Sequence, residues 1–316
     1  MKFFKNIYKL LSTLFLLIIL LLIAFIFYFT QPIKTTQTVT LPQGSVTKVV
    51  AHLKDQGYAL TLLDTYLLAY TLKHPKSGTL QIGAGEMSRI DFLKKLSSAK
   101  EAVDIVTLIP GETRPVFLEE LAKQQKLNYD KLEEAYTRYA NYKEAGILPE
   151  TYHVPKNIKE DELIKFLVKQ SEKAYEKLSK THYKTYRKKE WKRILTIASV
   201  IQKEAANNEE MPIVASVIYN RLKIGMALQM DGTLNYGKYS HVKVTPKRIR
   251  EDKSGFNTYT NKGLPPYPIA SVSIEAIQAA LNPKETNYLY FMKNKDGVHD
   301  FTDSYSEHLR NIKKGR

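Results

Sequence analysis

One carboxylate lies where a helix built only to pack would carry Leu or Met. Residues 191–206 place Ile194, Ile197, Ala198, Val200 and Ile201 at helical spacing. Glu204 joins that stripe, seven residues after Ile197, four after Val200 and three after Ile201. Gln202 and Lys203 point elsewhere. A Glu in that place is desolvated, paired, or opening onto a cleft; equally, the helix stops at Asn207-Asn208, so the side chain could reach water or meet an arginine. Desolvation raises a carboxyl pKa. A carboxyl still protonated near neutrality is what a general acid requires.

The neighbouring residues offer partners. A second predicted helix, 211–223, turns Val214, Val217 and Ile218 inward and sets Arg221 at the edge of that face, where an ion pair would order the fold. Residues 225–232 run through a β-like segment into a loop, with Gln229 and Asp231 on one side. Further loops gather Asn235, Tyr236, Asn257, Thr258, Tyr259 and Asn261, ahead of the rigid Gly263-Leu264-Pro265-Pro266-Tyr267-Pro268. Other chemistries lack their signatures. There is no cysteine, no phosphate-binding glycine loop and no Gly-x-Ser-x-Gly elbow. The seven histidines are scattered; His299 and His308 read as hydrogen-bonded structural residues rather than ligands. No metal and no cofactor is expected.

The elements that must hold these residues fit an α+β chain of about two domains in 316 residues. Strand-like segments are expected at 36–41, 79–82 and 102–109, and helices at 46–56 (N-capped by Ser45, stopped at Gly57), 60–72 and from Ser88 to near Ser97. Thr40-Leu41-Pro42-Gln43-Gly44-Ser45 and Thr107-Leu108-Ile109-Pro110-Gly111-Glu112-Thr113 echo each other as strand–turn–helix units. Residues 115–190 read as mostly helical. Within 157–193, 12 basic and 6 acidic residues flank Leu163, Phe166, Leu167, Tyr175 and Leu178, a long amphipathic linker helix with a solvated basic face. Residues 146–155 break the pattern as an ordered loop.

The chain opens on a membrane-anchor pattern. Residues 10–30 carry no charge and would span roughly 31 Å as a helix, about one hydrocarbon core. Lys2, Lys5 and Lys9 precede this run and only Lys34 follows closely, which predicts a cytoplasmic N-terminus and an extracytoplasmic body. The exit, Phe27-Tyr28-Phe29-Thr30-Gln31-Pro32, offers no small-x-small cleavage site, so an uncleaved single-pass anchor is expected. The formal charge is +16; the four lysines of residues 1–34, which hold no acid, leave +12 on the rest. Outside a cell that charge suits anionic headgroups or an anionic wall polymer, or is simply a solubilising surface. A nucleic-acid partner is not expected.

Several ordered motifs then carry a resemblance. Ile197-Ala198-Ser199-Val200-Ile201-Gln202-Lys203-Glu204, Val214-Ala215-Ser216-Val217-Ile218-Tyr219-Asn220-Arg221-Leu222 and Ile224-Gly225-Met226-Ala227-Leu228-Gln229-Met230-Asp231 resemble the YceG-like family of endolytic murein transglycosylases. The likeness continues through Asn257-Thr258-Tyr259, Gly263-Leu264-Pro265-Pro266, Leu281-Asn282-Pro283 and Tyr288-Leu289-Tyr290-Phe291, and covers about residues 193–310. It implies a cytoplasmic tail (1–9), a transmembrane helix (10–30), a LysM-like α+β module (36–109), a helical linker region (110–190) and an α+β catalytic domain (191–316). The implied location is the bacterial inner (cytoplasmic) membrane, with the catalytic domain in the periplasmic or extracytoplasmic space. The implied partners are peptidoglycan glycan strands, the membrane and cell-wall synthesis enzymes.

The implied reaction cleaves the MurNAc–GlcNAc β-1,4 bond within a nascent strand without water, the MurNAc 6-hydroxyl closing a 1,6-anhydro ring. Glu204 would serve as acid and then base, with Asn220, Gln229, Asp231, Tyr236, Asn257 and Tyr259 binding sugar. A muramidase-type hydrolase using Glu204 and Asp231 and a non-catalytic wall-binding scaffold are the rival readings. The chain also departs from the family pattern. Gln202 replaces a frequent Glu, which leaves Glu204 the one acid of its motif, and the usual Asp-Pro-Thr is here Asp231-Gly232-Thr233.

Overall fold

The computed structural model describes residues 2–315. Met1 and Arg316, the outer ends of the expected tail and catalytic domain, lie outside it. The chain is a mixture of helices and short strands divided into two compact units. The first runs to Asp104 and adds His153–Asn157; the second comprises Ile105–Tyr152 and everything from Ile158 onward.

The first unit begins with helix α1 (Lys2–Thr30), followed by β1 (Pro32–Thr35), β2 (Thr38–Leu41), α2 (Val46–Asp55), α3 (Leu62–Tyr70), β3 (Gly78–Gln81), β4 (Gly85–Ser88) and α4 (Arg89–Ser98). β1 pairs antiparallel with β4, and β2 with β3. Local chemistry sets the helix ends. The Ser45 and Ser88 hydroxyls accept from the amides of Lys48 and Asp91, and Gly57 takes a φ of 90° just past α2. Val39, Leu41, Val49, Leu53, Leu80, Phe92 and Leu96 form the core, which also takes in Phe29 at the end of α1. Among the described residues, one helix is long and apolar enough to cross a membrane; it covers Phe4–Thr30, 27 residues, and an 18-residue stretch within it has a mean hydropathy of 3.2.

The connection runs through β5 (Val103–Thr107), which pairs with β6 (Thr151–Pro155). Between them lie α5 (Arg114–Gln125) and α6 (Tyr129–Tyr139); β5, the turn at Gly111 (φ 84°) and α5 repeat the strand–turn–helix order of β2 and α2. Then follow α7 (Glu160–Tyr183), α8 (Lys188–Glu204), α9 (Met211–Lys223), α10 (Pro246–Glu251), α11 (Ile274–Leu281), the antiparallel pair β7 (Tyr290–Lys293) and β8 (His299–Thr302), and α12 (Tyr305–Gly315).

Three findings differ from the sequence reading. The expected helix across 157–193 is two helices, broken where Lys184 takes a left-handed φ of 63°. The apolar face of α7 packs through Tyr175 into the same core as Trp191, so these helices are part of the second unit's body. The expected loop at 146–155 contains strand β6.

α8 is the centre of that core. Trp191, Leu195, Ile197, Ala198, Val200 and Ile201 are fully buried, against Val214, Val217 and Ile218 of α9 and Ala276 and Ile277 of α11. Its buried hydroxyls, Thr196 and Ser199, are satisfied. The Ser199 hydroxyl donates to the Thr196 carbonyl and accepts from the Ile269 amide. A helix held on so many sides carries its last residue, Glu204, to a fixed place.

Candidate active site

Glu204 is the final helical residue of α8 and is half-buried. Its neighbours do point elsewhere. Gln202 Oε1 accepts from the Ser273 amide ahead of α11, and Lys203 Nζ donates to Ser240 Oγ at 3.1 Å. Glu204 Oε1 accepts from the Gly232 amide at 2.6 Å, while Oε2 has no hydrogen-bond partner among the described residues. Burial pushes the carboxyl up to about 7; the Asp231 charge adds to that rise, and the Gly232 N–H and the Arg221 guanidinium oppose it. The C-terminal end of the α8 dipole disfavours the charge further.

Gly232 makes the contact possible in two ways. A Cβ there would lie 2.7 Å from Glu204 Oε1 and 2.6 Å from Lys203 Cβ, so a larger residue could not stand so close. A proline, usual at this place in the family pattern, would have no N–H to donate. Because the Gly232 N–H claims a lone pair of Oε1, the proton of the neutral acid belongs on Oε2.

Glu204 opens onto a cleft of about 370 Å³, whose wall includes Arg221, Gln229, Asp231 and Tyr259. Arg221 comes from α9 and is 6% exposed; its guanidinium donates to the carbonyls of Leu289 (2.6 Å) and Leu228, so its charge is fixed beside Glu204 rather than spent in an ion pair. Residues 226–230 form no strand, yet Gln229 and Asp231 both line the cleft while Met230 between them is buried. The chain bends through Gln229 at a φ of 50°, a conformation costly for a residue with a side chain. It is held there by Gln229 N–H to Thr258 O and Met230 N–H to Thr258 Oγ1. The Tyr259 hydroxyl donates to Asp231 Oδ1 at 2.7 Å. Burial first, and then this hydrogen bond, push the Tyr259 phenol up.

The other three sequence candidates stand outside the cleft. Asn220 Nδ2 donates to the carbonyls of Thr286 and Tyr288. Asn257 is fully buried; its amide donates to Ile249 O and Asp252 O and its carbonyl accepts from Tyr259 N–H, fixing the turn that presents Tyr259. Tyr236 stacks on Phe256 at 4.2 Å between centroids and donates to Asp252. Conversely, Tyr290 and Lys293 of β7, His299 of β8, and Tyr305 and His308 of α12 line the cleft. His299 is held by Glu210, which accepts from its amide at 2.7 Å and lies 2.6 Å from its Nδ1. Among the described residues no group of three or more His, Asp or Glu is placed to hold a metal ion.

The YceG-like family profile matches residues 39–314. The chain belongs to the YceG-like family. It is 38% identical over 167 residues to a Bacillus subtilis endolytic murein transglycosylase, covering 52% of this chain and 46% of that protein. It is 32% identical over 182 residues to the Streptococcus pneumoniae endolytic murein transglycosylase, covering 55% of this chain and 32% of that one. These alignments span about a half and a third of the length of those relatives. A crystal structure of a putative YceG-like protein from Listeria monocytogenes superposes with a TM-score of 0.56 at 26% identity, covering 88% of this chain and 99% of that one. The YceG-like chain thus shares its fold with a solved relative and its sequence with named transglycosylases.

Proposed function

We propose that this YceG-like protein is a membrane-anchored endolytic murein transglycosylase, with Glu204 as its general acid and then its base. The observation that carries the reading is a protonatable carboxyl with one oxygen held by Gly232 and the other free at the wall of an open cleft. Glu204 Oε2–H donates its proton to the glycosidic oxygen, and the bond from that oxygen to MurNAc C1 breaks. The MurNAc 6-hydroxyl attacks C1 and passes its proton to the Glu204 carboxylate. The product carries a 1,6-anhydro ring, no water is consumed, and the acid is regenerated. A tethered hydroxyl supplies much of the rate through proximity. The fixed Arg221 charge stabilises the transient carboxylate, and Asp231, steadied by Tyr259, supplies negative charge opposite the developing oxocarbenium. Gln229 and Tyr259 are the nearest candidates for sugar contacts.

Asp231 in the same cleft keeps a muramidase-type hydrolase as the second reading, since two carboxylates are what such enzymes use. The uncharged run 10–30 of α1 and the lysines before that run support a single-pass anchor with the N-terminus in the cytoplasm and the cleft outside, where the +12 body meets an anionic polymer. The first unit is proposed as a LysM-like module, and cell-wall synthesis enzymes as neighbours. The test is digestion of uncross-linked glycan strands by the full-length protein in lipid, with mass spectrometry of the ends. Anhydro ends, lighter by one water and absent with Glu204→Gln, are expected. Reducing ends lost with Asp231→Asn would give the hydrolase instead, and cleavage by neither protein with strand binding retained would give the scaffold.

A further inference from the structure

The first unit exposes one apolar helix face, and it lies beside the end of the membrane-spanning helix. Excluding α1, five large hydrophobic residues of this unit are exposed among those described: Leu62, Leu63, Tyr66, Tyr70 and Val103. Four of the five belong to α3. Leu62, Tyr66 and Tyr70 recur every four residues with Leu63 beside them, a single stripe along the helix, and the Tyr66 and Tyr70 rings stack 6.1 Å apart. Tyr66 is 60% and Tyr70 83% exposed. The opposite face is anchored, with Asp64 and Leu68 fully buried.

What covers that stripe follows from where α3 begins. Thr61 caps α3, and its Oγ1 is 2.5 Å from the hydroxyl of Tyr28, a residue within the last turn of the apolar span. Tyr28 also donates to Asp64 Oδ2 at 2.6 Å. Arg89 closes the cluster, 3.0 Å from Asp64 and 3.1 Å from the Tyr28 hydroxyl, with its guanidinium over the Tyr28 ring. Phe29, the next residue, is buried in the unit's core. The start of α3 is therefore fixed at the level of the last turn of α1. If α1 spans the bilayer as proposed above, that level is the headgroup layer, where tyrosines partition with ring down and hydroxyl out.

We propose that α3 lies in the outer membrane–water interface with Leu62, Leu63, Tyr66 and Tyr70 among the lipids, so that the first unit is held on the bilayer by a second contact besides α1. An amphipathic helix that presents one apolar face is the form such contacts take. The flanking charge agrees. Residues 65–85 hold Lys73, His74 and Lys76 and no acid, which suits an anionic headgroup layer. The consequence is geometric: the Tyr28 cluster and Phe29 join α1 to the unit, so a lipid contact at α3 also fixes the tilt of α1 in the bilayer.

The chain has no cysteine, so single replacements take one label each. Full-length protein carrying Tyr66→Cys, Tyr70→Cys or Leu20→Cys is labelled with the environment-sensitive fluorophore NBD and placed in nanodiscs of phosphatidylcholine and phosphatidylglycerol. Lipids bearing a nitroxide near the headgroup quench at the interface, and lipids bearing one deep in the acyl chain quench at position 20. The glutathione adduct of the label sets the water limit. The expected result is blue-shifted emission at 66 and 70, quenched at least about twofold by the shallow lipid nitroxide. Emission at the water limit at both positions, with position 20 quenched, overturns the proposal. So does blue-shifted emission without lipid quenching, which would mean that a second copy covers the face. Loss of quenching at position 20 would overturn the anchor itself, and the proposal with it.

Discussion

The second unit contains two carboxyls that burial pushes far above their ordinary value, and only one is placed for chemistry. Glu204 rises to about 7 and Glu144 to about 8, each mainly through desolvation. Each accepts one backbone N–H, Glu204 from Gly232 at 2.6 Å and Glu144 from Arg114 at 2.7 Å. Their surroundings separate them. Glu144 faces the first turn of α5, where a carboxylate suits the helix dipole, and is packed near Leu108, Phe117, Tyr136 and Ile147 around a space of about 10 Å³. That is at the lower limit for a single water. Glu204 opens onto about 370 Å³ with a fixed arginine and a second carboxylate on its wall. A raised pKa marks burial, and an oxygen without a hydrogen-bond partner among the described residues is common to both; access to a cleft marks the acid that can give its proton away.

Activity is where the two should differ most. Glu204→Gln is expected to lower glycan cleavage by at least ~10²–10⁴-fold, the usual contribution of one positioned acid or base. Glu144→Gln, which keeps an acceptor for the Arg114 amide, should stay close to wild type. Counting anhydro ends with each variant checks both, and equal losses would erase the distinction.

The pH profile sharpens the comparison. The reaction begins with Glu204 protonated, so kcat/KM should hold below about 7 and fall about tenfold per pH unit above it. Asp231→Asn removes a charge that raises Glu204 and should move the midpoint down, while Glu144→Gln should leave it in place. A midpoint that follows Glu144 instead would transfer the acid role.

Glu204 is legible in the sequence because its spacing from Ile197, Val200 and Ile201 sets it on a packed stripe, and a charged residue at such a position is rare enough to notice. Gln229 and Asp231 are legible as residues two apart, and that relation holds although the segment is not a strand. Asn220, Asn257 and Tyr236 show the limit. Asparagine binds a turn carbonyl as readily as a sugar, and only the fold reveals which carbonyls are near. Lys293 and Tyr305 carry no local signal, and the motif Tyr288-Leu289-Tyr290-Phe291 does not by itself single out Tyr290; all three reach the cleft through the β7–β8 pair and α12. β1 and β4 are hidden in the sequence because Pro32-Ile33-Lys34-Thr35 opens on a proline and Gly85-Glu86-Met87-Ser88 holds no β-branched residue, whereas the equally short β2 reads Thr38-Val39-Thr40-Leu41.

A smaller loss is expected at Gly232. The methyl of Gly232→Ala would meet Glu204 Oε1 at 2.7 Å and Lys203 Cβ at 2.6 Å, and the second contact involves the root of a side chain rather than its mobile end. The loop or the carboxyl must shift, and a displacement near 1 Å costs roughly 100-fold in rate. An expected loss of about 10- to 100-fold, with the melting temperature near wild type, would place the effect on the position of Glu204. No loss would mean that the 2.6 Å contact is not needed for turnover.

The smallest difference is in stability, and there the two carboxyls should behave alike. Each has a folded pKa raised above the ordinary 4.5, so the fold favours its neutral form. Each contribution is whole below about 4.5 and is lost as pH rises, through about 7 for Glu204 and about 8 for Glu144. A glutamine cannot ionise, so both Gln variants should gain melting temperature over wild type at pH 9 and little at pH 4. The ceiling is on the order of 3–5 kcal/mol, reduced at Glu204 by its opening to water, and corresponds to several degrees. The gain of Glu204→Gln should be complete about one pH unit before that of Glu144→Gln. Melting curves from pH 4 to 9 check the order. If the Glu204 gain came later, Glu204 would be more strongly desolvated than the packed Glu144, and openness could no longer be the feature that separates them.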